Sequence, residues 1–216
     1  MQTEVISFYS DIDDSTYYSD HGKRLKAQLD ELRIPHDIRE KQSLGSYQKN
    51  CLSKPQFIYQ LLVDKQKPLV WLDVDSDVRK SLHVFDHFHT NTDIVVSCST
   101  NKIIAAKASP IYFDFNSRVL EFLRTWMFMA RQAASTGNWF DHEALIGILH
   151  SFYQKDGFKM KFLGPEYCVW PGQENENSVI IMGLADVDSK KESLRKLGMQ
   201  EETINWQSPG TKHLFQ

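Results

Sequence analysis

The sequence predicts an α/β fold: a mostly parallel central sheet with helices on both faces, followed by a smaller strand-rich part. Two observations carry this expectation. Over the first third of the chain short apolar runs alternate with segments of helical periodicity, and one of those runs, "LVWLDVDSDV" (69–78), ends in three aspartates on alternate positions. A buried strand with a rigid acidic mouth is the feature around which the rest of the reading is built.

Glu4 to Ser10 (EVISFYS) reads as a buried first strand, with Asp14 or Ser15 placed to cap the helix after it. In that helix Tyr18, His21, Leu25, Leu29 and Leu32 recur at three- and four-residue steps and form one apolar stripe. Pro35 closes it, and HDIRE is a short second strand. A polar loop through KQSLGSYQKN leads to a helix over 54–63, marked by Phe57, Ile58, Leu61 and Leu62, and DKQKP turns the chain into the Asp-rich strand. Strand, helix, strand, helix, strand is the order that right-handed crossovers convert into a parallel sheet. DIVVSCS and SPIYFDF are further strands. Asn116 is placed to cap a long helix with Val119, Leu120, Leu123, Trp126, Met127 and Ala130 on one face, and Asp141 to cap HEALIGILHSF. KMKFL, EYCVW and SVIIMG suggest short strands, then a helix over 189–197 and an irregular tail. With no internal repeat, low-complexity block or linker, one domain over 1–216 is expected.

A net charge of -3 with ordinary apolar and charged fractions gives no sign of a general nucleic-acid or membrane-surface binder. No apolar run approaches the roughly 18 residues of a membrane span, and the start MQTEVISFYS lacks the basic and apolar regions of a secretory signal. Cys51, Cys98 and Cys168 are odd in number, far apart and without CxxC spacing. A reduced, cytoplasmic protein is expected, and the same sequence is compatible with one part of a longer multidomain chain.

Three chemistries are open to Asp73, Asp75 and Asp77. A calcium loop needs Gly at position six and Glu at position twelve; counted from Asp73 those places hold Val78 and Val84, which excludes it. A phosphohydrolase of the haloacid dehalogenase type would use Asp73 as nucleophile, with Ser97 and the pair Asp186 and Asp188 as later motifs, but the fifth position of its first motif is Asp77. The third is a metal-bridged nucleotide site. Ligands of open α/β sheets collect at the carboxyl ends of the strands, and paired carboxylates suit Mn²⁺ or Mg²⁺, which bind diphosphates. His83 and His87, spaced i and i+4 beside Asp86, lack further metal ligands nearby and read as a polar surface.

The segment VWLDVD, after its strand-helix-strand-helix prelude, resembles the DxD motif of GT-A-fold nucleotide-diphospho-sugar glycosyltransferases. The resemblance continues in order: FYSD…YY…LKAQLDELRIPHDI is similar to the family's first nucleotide-binding strand and helix, and KPQFIYQLL to the helix with a basic donor-contacting residue. FDFNSRVLEF is similar to the N-x-G-V segment, NWFDHEAL to D-Q-x-x-L, and GTKHLF to the C-terminal His and Lys segment over the diphosphate. Arg118 stands where the family usually has Gly and His142 where it has Gln, and Asp77 is an extra acid.

The resemblance implies a GT-A-like fold with a Rossmann-like sheet, in which 1–100 is a nucleotide-binding half and 101–216 an acceptor and sugar half. It implies metal-assisted transfer from a nucleoside diphosphate sugar, most simply a UDP-sugar, to a glycan or other hydroxyl acceptor, with a lean to retention of configuration. Asp73, Asp75, Asp77 and His213 are then the candidate metal ligands. Tyr9, Ser10, Asp11, Lys54, Asp73, Asn116 and Lys212 are the candidate donor-binding residues, and Asp141, His142 and Glu143 the candidate catalytic ones. A non-catalytic nucleotide-sugar-binding module would share the binding residues without the turnover.

Overall fold

The computed structural model describes residues 2–12, 15–98, 103–136 and 141–184. Six strands form one sheet in the order β2-β1-β3-β6-β5-β7. They are β1 (Glu4–Tyr9), β2 (His36–Glu40), β3 (Leu69–Trp71), β5 (Ile94–Cys98), β6 (Ala106–Phe113) and β7 (Met160–Leu163). β1 runs parallel to β2 and β3, and β5 parallel to β7; β6 alone is antiparallel to its neighbours β3 and β5. The predicted α/β class and the mostly parallel sheet are both present.

Period-two alternation sends successive side chains to opposite faces. Ile6, Leu69, Trp71, Ile94, Val96, Ile111 and Phe113 meet Ile58, Leu61, Phe122, Trp126, Leu145 and Leu149 from α3 (Lys54–Lys65), α4 (Ser117–Thr136) and α5 (Asp141–Tyr153). Val5, Val70, Val95 and Tyr112 face the other way, onto Leu25 and Leu29 of α1 (Tyr17–Glu31) and onto Leu82, Phe85 and Ile180. Both faces are covered, which is why the strands read as continuous apolar runs.

Several local expectations change. Of the two residues expected to cap α1, Ser15 accepts from the Tyr17 N–H on Oγ at 3.2 Å, and Asp14 lies outside the described residues. Asp11 takes the free N–H groups of Tyr18 and Ser19 on Oδ1, at 2.8 and 3.1 Å. Within the polar loop a short helix, α2 (Tyr47–Leu52), forms behind Ser46, whose side chain accepts from the Lys49 N–H. The Asp-rich run is broken: after β3 the chain turns at Asp73–Ser76, closed by Ser76 N–H to Asp73 O at 3.0 Å, and Asp77 starts a separate two-residue strand, β4 (Asp77–Val78). β4 pairs with β8 (Ile180–Ile181) in a small second sheet. EYCVW is not a full strand: Pro165–Tyr167 is a 3₁₀ turn, and only Val169 bridges to Ile181. His83–His87 is likewise a 3₁₀ turn. The helix expected over 189–197 lies outside the described residues.

Candidate active site

β1 and β3 are parallel, so their carboxyl ends lie at one edge of the sheet, and the antiparallel β6 begins there. A cavity of about 460 Å³ opens at this edge, large enough for a small-molecule substrate. Of the residues singled out from the sequence, Tyr9, Ser10, Lys54, Asp73, Asp75, Asp141, His142 and Glu143 all line it. Residues separated by more than a hundred positions are thus gathered by topology alone.

Lys54 occupies the centre. It opens α3, its ammonium 5.4 Å from the centroid of Trp71, whose ring packs with Phe8 and Phe57 at centroid distances of 5.1 to 6.0 Å. Its ammonium lies 2.8 Å from Asp73 Oδ1 and 2.5 Å from Asp141 Oδ2, with only 6 % of the side chain exposed. Burial acts against the charge, but the carboxylates of Asp141 and Asp73 outweigh it and hold the Lys54 pKa above its ordinary value. The lysine is therefore a fixed cation that joins the acidic turn after β3 to the start of α5. Asp141, expected to cap that helix, is the first described residue of α5 and turns its carboxylate to Lys54.

The acidic turn is fastened from several sides. The Asp73 N–H donates to Ser109 Oγ at 2.8 Å, and Trp71 Nε1 donates to Asp73 Oδ1 at 2.9 Å. Arg24 on α1 donates to Ser76 O, Gln28 accepts from the Val78 N–H, and the Gln28 amide bonds the Asp77 carboxylate. Asp77 also pairs with Arg79 at 2.9 Å and does not line the cavity. Its carboxylate anchors the turn to α1.

His142 Nε2 donates to Ala106 O at 2.7 Å, tying the first turn of α5 to β6. Asn116 lies at the opposite edge of the sheet because β6 carries the chain away from the cavity. There its Oδ1 caps α4 by accepting from the Val119 N–H, and its Nδ2 donates to Asp93, which also holds Arg118. Asp11 caps α1 and does not line the cavity. Ser97, needed by the phosphohydrolase reading, is fully buried within β5. Asp186, Asp188, Lys212 and His213 lie outside the described residues.

Several cavity residues were not singled out for function. Tyr18 had been assigned only to a helix stripe, yet its ring faces Tyr47 of α2, 6.2 Å between centroids and 17° from parallel, and both line the cavity. Cys51 and Asn50, also on α2, join them, as do Lys107 and Trp170. Tyr47 belonged to a stretch with no apolar period, so nothing local in the sequence marked it.

Metal binding can be tested against the same side chains. Among the described residues no group of three or more His, Cys, Asp or Glu is placed to hold a metal ion. Asp73 and Asp75, however, sit one residue apart on the turn and both line the cavity. An all-oxygen pair suits Mg²⁺ or Mn²⁺, since Mg²⁺ is commonly held by one or two carboxylates together with substrate phosphates and water.

No family model matches the chain, and no curated protein matches it. Among solved structures it is similar to a glycosyltransferase involved in the glycosylation of the major capsid of PBCV-1, with a TM-score of 0.64 over 88 % of this chain and 99 % of that one. The chain shares the fold of that glycosyltransferase. Identity is 13 %, so the likeness is one of architecture. In that GT-A-like architecture the cavity lies at the carboxyl ends of parallel strands, where ligands of open α/β sheets bind. No helix among the described residues is long and apolar enough to cross a membrane.

Proposed function

We propose that the protein is a glycosyltransferase that moves a sugar from a nucleoside diphosphate donor to a hydroxyl acceptor. The observation that carries this reading is the make-up of the cavity. Within a glycosyltransferase fold it joins an aromatic region (Tyr9, Tyr18, Tyr47) to a charged centre (Lys54, Asp73, Asp75) and to the carboxylate-bearing start of α5. A planar base fits the first region, a diphosphate with its counter-charges the second, and a reacting sugar the third.

On this reading Tyr18 and Tyr47 hold the base by their ring faces, and Ser10, at the end of β1, bonds the ribose. Lys54 offers no free charge, since its ammonium is spent on Asp73 and Asp141; it keeps the two carboxylates at fixed separation as the donor binds. Asp73 and Asp75 would hold Mn²⁺ or Mg²⁺. Such an ion supplies charge neutralisation for the departing diphosphate. Asp141, buried and paired, presents a fixed negative charge near the reacting sugar, whereas Glu143, an exposed carboxylate that lines the same cavity, takes the proton of the acceptor hydroxyl. A uridine donor and retention of configuration are the finer parts of the proposal, and they rest on the motif resemblance.

The test is thermal unfolding with UDP, GDP, ADP or no nucleotide, with and without Mn²⁺, on the native chain and on Asp75→Asn. A ligand at a hundred times its dissociation constant stabilises by roughly 2.7 kcal/mol. In a domain of this size that is a rise of roughly 5 to 10 °C. UDP with Mn²⁺ is expected to raise the midpoint and Asp75→Asn to erase the rise. No shift with any nucleotide, with or without metal, would remove the basis of the proposal.

A further inference from the structure

The cavity has a second aromatic wall, far along the chain from the first and unused by the reading above. Trp170 lies between the 3₁₀ turn after β7 and a reverse turn closed by Gln173 N–H to Trp170 O at 3.0 Å. Its backbone is pinned on the side before it: Val169 N–H donates to Ile180 O at 3.1 Å, and Met182 N–H to Val169 O at 3.0 Å. The ladder sets Gly183 against the indole. A Cβ at Gly183 would stand 2.5 Å from Trp170 Cζ3 and 3.1 Å from Cε3 and Cη2, so the six-membered ring rests directly on the glycine backbone. Gly183 also has φ +76, a conformation that residues with a side chain rarely adopt. The Lys107 ammonium lies 5.5 Å from the ring centroid, beside this platform.

The result is a large ring seated against the backbone, left partly exposed, and lining the cavity. Partial exposure there leaves a tryptophan with unsatisfied apolar area, which a ligand can cover. Its neighbours show which part of a ligand that is. Trp170 is next to Lys107; Lys107 follows Ala106, whose carbonyl holds His142; and His142 is flanked by Asp141 and Glu143. Trp170 therefore shares the α5 end of the cavity with the candidate catalytic side chains, while Tyr18 and Tyr47 adjoin α2.

We propose that Trp170, seated on Gly183, is a stacking platform for a pyranose ring at the α5 end of the cavity. One face of a pyranose carries axial C–H groups and is apolar, while hydroxyls ring its edge. Such a face covers an indole, and the edge reaches polar groups of the kind that Lys107, His142 and Glu143 carry. The inference deepens the glycosyltransferase reading and rests on it for the ring's part in a reaction, but ring binding itself can be measured without any turnover.

The experiment is saturation-transfer NMR with methyl glucosides, galactosides and mannosides, on the native protein, Trp170→Leu and Gly183→Ala, with UDP-induced thermal shifts measured in parallel. At least one glycoside is expected to show transfer to its ring C–H protons in the native protein. Both substitutions should weaken that binding by roughly tenfold or more, in the range of an aromatic hot spot, and leave the UDP response intact. Glycoside signals that survive Trp170→Leu unchanged overturn the platform, as does a native protein that responds to UDP but to no glycoside. Signals that depend on Trp170 in a protein indifferent to every nucleotide uphold the platform and remove the transferase reading. Once a donor is known, its hydrolysis in water separates the two sources of the ring: an acceptor ring predicts that Trp170→Leu loses transfer but keeps hydrolysis, and a donor ring that it loses both.

Discussion

Lys54 is the residue on which the cavity turns, and its energetics follow from burial. Removing one partner of a buried ion pair strands the other charge, at a cost of about 3–5 kcal/mol. Lys54→Met is therefore expected to lower the urea midpoint strongly, by leaving Asp141 buried and uncompensated. Adding Asp141→Asn should restore more than half of the loss, because Asp73 retains Trp71 Nε1 and partial exposure. A double variant no more stable than Lys54→Met would show that the lysine acts by packing rather than by charge. Cys51 gives a second residue-scale prediction. Burial, and then the negative charge of Asp141, push its thiol up to about 12. At pH 8 its thiolate fraction is then about 10⁻⁴, so Cys51 should resist iodoacetamide in the native protein although it lines the cavity. Rapid native-state alkylation, read by mass spectrometry, would contradict this.

At the scale of elements, α4 depends on a cap once assigned to ligand binding. Asn116→Ala should cost about 1 kcal/mol, the usual value of an N-cap side chain, and leave nucleotide-induced thermal shifts unchanged, since Asn116 sits at the far edge of the sheet. A lost nucleotide response in a folded Asn116→Ala would place it back in the site. This residue also shows how far the sequence was legible. The capping role was readable from its position before an apolar stripe, but the donor-binding role was borrowed from a motif whose place depends on the direction of β6, and strand direction leaves no local trace. α1, α3, α4 and α5 were visible because each buries a period-3.6 stripe. α2 was not, since its six residues, YQKNCL, have no stripe and are held by contacts with α4 and α5. β4 and β8, two residues each, exist through pairing alone, β4 with β8 and β8 also with Val169. At the site, the alternating acids pointed to Asp73 and Asp75 and the motif resemblance to Lys54, whereas Tyr47 and Trp170 became cavity residues through positions that only the assembled fold determines.

For the whole molecule, the shifted groups set a pH window of stability. A carboxylate with a folded-state pKa below its ordinary value contributes stability that is present above the ordinary value and lost as pH falls through the folded one. Asp37 is such a group: the hydrogen bond from Arg39, opposed by burial and reinforced by Lys65, holds it at about 2 instead of 3.8. Asp86 and Asp93 are lowered too; burial opposes this, but the Thr3 N–H and the Arg118 guanidinium respectively prevail. The acid limb therefore runs from about pH 4 down towards 2. Groups with raised values act at the other end, contributing stability that is full below the ordinary pKa and lost as pH rises through the folded one. Burial raises Cys51 from 9.0 to about 12 and Cys168 to about 11, and Lys54 is raised above 10.5. Urea midpoints are accordingly expected to be level between about pH 4 and pH 9 as far as these groups are concerned, and to fall on both sides. Asp37→Asn isolates the acid limb. The variant should be less stable than the native protein at pH 7, because Arg39 and Lys65 lose their anion, and the gap should close as pH drops from 3.8 to 2, where the native Asp37 itself takes up a proton. A gap that stays constant across that interval would mean that the Arg39–Asp37–Lys65 cluster does not tie β2 to the end of α3 through charge.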